Sequence, residues 1–129
     1  MCLQTTWEKP KKAEKDIIVY KIVELTNRGI KAPYNDFIYE PYKLYKTKMK
    51  LTDDFCPFDT IAQIARDNCN EKLYNIGQGF HSAKYKKRLG WVDERTQFIV
   101  KCIIPKGSLY YKGLTNLMVS NQIIITLEV

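Results

Sequence analysis

Three β-branched runs constrain this chain more than anything else in it: Asp16 to Leu25, Thr96 to Ile104, and Ile123 to Val129. In the first, Ile18, Tyr20 and Ile22 fall on one side of a period-two pattern, and Ile17, Val19, Lys21 and Val23 fall on the other. Side chains stiff at χ1 and alternating in this way suit a pleated surface better than a helix. Thr26-Asn27-Arg28-Gly29 then supplies the turn chemistry that ends the run. The second run is the strongest core strand of the chain. It stops at Pro105-Lys106-Gly107-Ser108, where proline presets the backbone for a tight turn, and Leu109 to Lys112 follows as a short strand.

Helical signals are weaker. Asp59 or Thr60 can cap a short helix through about Asn68, with Ile61, Ile64 and Ala65 at helical spacing. Ser82 can cap a second, Ala83 to Leu89, stopped by Gly90. Pro33 and Pro41 forbid a long helix between residues 33 and 51, so Tyr39 to Tyr45 reads as an edge strand or ordered loop. Residues 1–15 are polar and lysine-rich and read as an N-terminal arm, pinned to the body by Leu3 and Trp7. The sum is an α+β fold. It is a single compact domain over 16–129, a twisted, mainly antiparallel sheet with two short helices and a basic arm. A hydrophobic share of 45% gives 129 residues a core without staples.

The net charge of +7 favours anionic partners, and its lysines concentrate in 9–15, 43–50 and 84–88. No apolar run approaches membrane-spanning length, so no membrane partner is expected. Cys2, Cys56, Cys69 and Cys102 form no Cys-x-x-Cys pair, and the N-terminus lacks a secretory apolar stretch. Reduced thiols in a cytoplasm are the expectation. Cys102, inside an apolar run, belongs to the core. Cys2 would become an N-terminal nucleophile on loss of Met1, but no partner for it is identifiable. One histidine and scattered cysteines do not give zinc spacing. Neither a metal nor a cofactor is expected.

Two constellations carry chemistry. His81 and Ser82 sit at a strand-to-helix junction beside Gly77 and Gly79, which allow close backbone approach. Ser82 with the first amides of the helix could hold an anion, with Lys84, Lys86, Lys87 and Arg88 nearby. The second is the segment 34–50, where Tyr34, Phe37, Tyr39, Tyr42 and Tyr45 interleave with Lys43, Lys46, Lys48 and Lys50. Rings that stack and cations that track phosphates are what single-stranded nucleic acid needs. An ordinary half-buried edge strand has the same pattern.

The order of elements resembles the C-terminal half of the ADP-ribosyltransferase fold. Tyr20-Lys21 stands where that family has an early strand with a basic residue. Gly79-Phe80-His81-Ser82-Ala83 echoes its Gly-Phe-x-Ser stretch, and Ile104-Pro105-Lys106-Gly107-Ser108 its Pro-Lys-Gly turn. Asn121-Gln122-Ile123 occupies the place of the acidic triplet, so Ile123 stands at the family's catalytic glutamate. The chain also resembles small accessory proteins of bacteriophages and their hosts, which implies the cytoplasm of a bacterial host.

These readings converge on non-catalytic binding of an anionic partner, a nucleotide-like ligand near His81 or a host protein. Lys21 and Lys84 would supply charge, His81 and Ser82 would orient the ligand, and Gln122 would offer amide hydrogen bonds. Two alternatives stay open: an ADP-ribosyltransferase-like enzyme acting on a dinucleotide, and a protein–protein interaction module using the tyrosine-rich surface.

Overall fold

The computed structural model describes residues 3–32, 37–52, 74–86, 89, 92, 95–113 and 116–128. The two longest period-two runs form its centre. β3 (Ile17–Thr26) and β10 (Gln97–Ile104) pair antiparallel along eight residues, from Gln97 opposite Glu24 to Ile104 opposite Ile17. Directly opposed residues share a face, so Val19 meets Cys102 and Lys21 meets Val100 on the inner side. The remaining strands of this sheet are β2 (Lys11–Lys12), β4 (Gly29–Lys31), β5 (Ile38–Tyr39), β6 (Leu44–Lys46), β9 (Phe80–Ala83), β11 (Leu109–Lys112), β12 (Leu117–Ser120) and β13 (Gln122–Ile125). Its path runs β2-β11-β12-β9-β3-β10-β13-β6, with β4 and β5 branching from β3. A smaller sheet, β1-β8-β7, is formed by β1 (Leu3–Thr5), β7 (Lys50–Thr52) and β8 (Tyr74–Gln78).

One connection shapes the large sheet. β12 and β13 are separated in sequence only by Asn121, yet β9, β3 and β10 lie between them in the sheet. A link of one residue spans a few ångströms. The sheet must therefore curl until its two halves face each other across the core. Val19, Val23, Cys102, Ile104, Ile123 and Ile125 fill that interior, with Met118 and Tyr39 beside them. Each fully buried aliphatic chain there stabilises the fold by roughly 1.5–3 kcal/mol. A second cluster, Ile76, Tyr111 and Val119, packs against Trp7 and Met49 and joins the small sheet to the large one.

The expected sheet is present and every ladder is antiparallel. The helices are where the expectation needs correction. Among the described residues there is no α-helix. Ser82 is not a helix cap: it lies within β9 opposite Met118, and Ala83 lies opposite Leu117. The reason is a strand the sequence did not reveal. β12 offers four residues of ladder to β9, and those bonds outweigh the weak helical preference of a segment with Lys84 and Arg88 at repelling helical spacing. The helix expected from Asp59 or Thr60 to Asn68 lies outside the described residues. The arm is woven in, β1 pairing with β8 and β2 with β11, and the Thr5 hydroxyl donates to the Lys112 carbonyl at 2.7 Å.

Cys102 is buried and has no disulfide partner among the described residues, and burial pushes its thiol up to about 12 against a smaller opposing pull from Lys21. The thiolate is the reactive species. Iodoacetamide at mildly alkaline pH is therefore expected to leave Cys102 unmodified in the native protein and to label it fully after guanidinium unfolding. Peptide mass mapping reads both states, and native labelling of Cys102 would contradict its place in the core.

Candidate functional site

Alternation along β9 sorts the residues that sequence had grouped together. Ser82 stands opposite Met118, whose side chain is in the main core, while His81 stands opposite Val119, which belongs to the second cluster. Neighbouring residues on a strand face opposite ways, so His81 and Ser82 do not address one ligand from one side. Lys21 lies on the face of Val19 and Val23. Its ammonium donates to the backbone carbonyl of His81 at 2.5 Å, not to the imidazole ring. Among the described residues it has no carboxylate at ion-pair distance. Desolvation lowers its pKa, with a weaker opposing influence from Cys102.

The His81 Nδ1 atom lies 3.3 Å from the Gly79 carbonyl, and Nε2 is buried without a hydrogen-bond partner among the described residues. Burial lowers the imidazole pKa first, and the Lys21 charge lowers it further; the carbonyls of Ile76 and Gly79 pull less strongly the other way. A neutral histidine results at physiological pH. The Ser82 hydroxyl is also buried, in a residue only 5% exposed, and has no partner among the described residues. An orphaned polar atom of this kind is uncommon in a folded protein.

Beyond Ser82 the chain emerges at Lys84, on the rim of a groove of about 1040 Å³. Its floor includes Ile17 and Met118. Lysines reach it from four parts of the chain: Lys11 and Lys12 of β2, Lys15 ahead of β3, Lys84 after β9, and Lys112 of β11. Trp7 and Tyr110 supply rings. Ladder register links the groove to β9 in two rows. Lys112, Met118 and Ser82 are successive neighbours across three strands, and Lys11, Tyr110, Ser120 and Phe80 across four. With about 5 Å between directly opposed residues, Ser82 lies roughly 10 Å from Lys112 across Met118. Of the two carboxylates on the rim, Glu14 and Asp16, the second accepts a hydrogen bond from the Lys106 amide at 2.8 Å.

The structure thus brings Lys21, Ser82 and Lys84 to one face of the sheet. It turns His81 to the other, and it leaves Gln122 on β13 opposite Lys46, outside the groove. Two tyrosines of 34–50 are committed to packing: Tyr39 is buried, and Tyr39, Tyr45 and Phe37 meet edge to face within 5.5 Å of one another, while Tyr42 is exposed and Tyr34 lies outside the described residues. The Tyr45 hydroxyl accepts from the Glu40 amide at 2.6 Å. The groove residues missed in the sequence are Trp7, Tyr110 and Lys112. Their signal was the alternation in Leu109–Lys112, which gained meaning only once the arm lay beside that strand.

Among the described residues, no helix is long and apolar enough to cross a membrane, and no three of His, Cys, Asp and Glu cluster as metal ligands would. What the fold and groove define is a class: a curled antiparallel sheet with a lysine-lined groove at one end. No protein-family model, curated protein or solved structure matches the chain.

Proposed function

We propose that this protein binds an anionic, nucleotide-like ligand without transforming it, and that the groove reaching Lys84 is the seat. The observation that carries this reading is the convergence of five lysines from four separate segments on one groove beside two aromatic rings. Such a charge cluster opposes folding through self-repulsion, and an anion relieves it. Lys21 and Ser82 lie on the same face of the sheet but outside the groove lining, so the Lys21 charge would act on a phosphate seated there through its field and not by contact. His81 acts from behind, its carbonyl fixing the Lys21 ammonium. The setting is cytoplasmic, that of a bacterial host if the likeness to phage accessory proteins holds.

The test is thermal stability against nucleotides, dinucleotides and cyclic nucleotides. A ligand at 100 times its dissociation constant stabilises the folded state by about 2.7 kcal/mol. The shift is expected to vanish in Lys84→Ala and Lys112→Ala and to persist in His81→Ala, which keeps the backbone carbonyl that holds Lys21 and removes no side chain from the groove. A shift that survives both lysine replacements would place the ligand elsewhere.

A protein partner has its own supporting observation. On the outer face, Leu44, Ile124, Ile103 and Ile18 are opposed in turn across four strands, with Leu44 41% and Ile18 46% exposed. An apolar row of this kind is an interaction surface in many soluble domains. Absence of any nucleotide shift would favour it.

A further inference from the structure

We infer that the natural occupant of the groove is single-stranded nucleic acid, a chain of linked nucleotides and not one alone. The inference rests on the groove being an anion site, as proposed above, and adds what kind of anion fits it. Three features argue for a strand.

The first is the pairing of rings with charges. Trp7 and Tyr110 meet edge to face at 5.8 Å and 61°. Both are partly exposed, and the Lys11 ammonium already sits 4.5 Å from the centre of the Trp7 ring. A ring that accepts a cation over its face at the surface presents that face to the groove, and an unpaired base can take the same place. The second is spacing. Tyr110 and Lys112 are two residues apart on β11 and share a face, with about 7 Å between their positions along the strand. Lys11, directly opposite Tyr110 on β2, stands over Trp7. Two rings, each with its own cation, match the base-and-phosphate repeat of a strand. The third is extent. The lysines come from β2, residue 15, residue 84 and β11, and from β2 to β9, the strand leading into Lys84, is three strand spacings or roughly 14 Å, more than a single phosphate group occupies. A duplex meets the same charges but hides its bases, so the rings would be idle.

The experiment measures anisotropy of a labelled oligothymidylate of about 12 nucleotides, within the ~4–16 nucleotide range of comparable grooves. A duplex of equal length and inorganic polyphosphate serve as competitors. Trp7→Leu and Tyr110→Leu keep an apolar side chain in place and remove the stacking surface; each is expected to weaken binding roughly 5- to 100-fold. Lys12→Ala combined with Lys15→Ala touches only exposed positions, so folding is safe. It should reduce the salt slope of log affinity by about 1.4, since each phosphate of a single strand that a lysine neutralises adds about 0.7 to that slope. Melting temperatures of the variants separate weakened binding from weakened structure. Duplex or polyphosphate competing as well as the strand, or ring variants that fold and bind unchanged, would overturn the inference. So would nucleotide shifts with no oligonucleotide binding, which leave the nucleotide site standing. Binding of neither removes both readings.

Discussion

Lys21→Met is expected to raise stability by roughly 1–4 kcal/mol at pH values where the folded chain carries the lysine charged, the range found when buried ionic groups give way to apolar ones of similar size. At about 4 °C per kcal/mol for a domain of this size, the melting temperature should rise by several degrees. Strand register is the origin of the effect. Lys21 faces inward on the central strand between Val19 and Val23, directly opposite Val100. One carbonyl, that of His81, solvates its ammonium, and among the described residues no carboxylate neutralises it. Desolvation is the leading cause of its lowered pKa. The folded protein therefore carries a charge that it holds less well than water does.

The pH dependence follows with a definite sign. Below its lowered folded pKa, Lys21 is protonated in both folded and unfolded chains, and the whole penalty is present. As pH rises through the folded value towards the ordinary 10.5, the folded chain releases the proton first and the unfolded chain binds more. Stability then increases with pH, and the penalty is gone above the unfolded value. The advantage of methionine should be greatest below the lowered folded value and should shrink as pH rises from there to 10.5. Paired thermal melts from pH 5 to 10.5 measure it. A lower melting temperature for Lys21→Met at the acid end of that series would mean that the bond to the His81 carbonyl outweighs desolvation. On the proposed reading the Lys21 charge serves the groove, so the stabilised variant should also bind a nucleotide less tightly.

What the sequence made legible was whatever a single strand states about itself. The alternation in Ile17 to Val23 assigned faces correctly, and Lys21 stands among the inward residues where that pattern put it. The stop at Pro105 to Ser108 is the observed turn, the Ser108 amide bonding to the Pro105 carbonyl at 3.0 Å. What failed depended on a partner strand. Ser82 and Ala83 have side chains that suit a helix start, and nothing local says that Leu117–Ser120 will claim their backbone. That one pairing removed the helix and sent His81 and Ser82 to opposite faces. The groove was illegible for the same reason. Lys11, Tyr110 and Lys112 become one surface only through the β2–β11 ladder, which joins residues about a hundred positions apart.

The glycine pair gives the sharpest separation between a residue type and its reason. Both Gly77 and Gly79 read in the sequence as places of close backbone approach. Gly79→Ala is expected to cost about 3–5 kcal/mol, a large part of the stability of an ordinary domain, and Gly77→Ala almost nothing. At Gly79 the chain passes from β8 in the small sheet to β9 in the large one, with φ at +137°. A side chain adopts that backbone only with strain, worth about 1–3 kcal/mol. A Cβ there would also stand 2.3 Å from Cγ1 of Val119 and 3.1 Å from Cγ of Met49. Val119 is fully buried in the cluster that joins the two sheets, so it can yield only by disturbing Ile76 and Tyr111. Overpacking of this kind adds about 1–3 kcal/mol. At Gly77 nothing lies within 4 Å of the same atom, and no left-handed backbone is required. Alanine there restricts the unfolded chain and can even stabilise by a few tenths of a kcal/mol. Urea unfolding of the two variants beside the wild type decides the matter. Equal losses would mean that the glycines serve flexibility and not the crossing between sheets. A loss confined to Gly79→Ala would fix the crossing as the structural reason for the motif and leave ligand approach to the groove on the far face of β9.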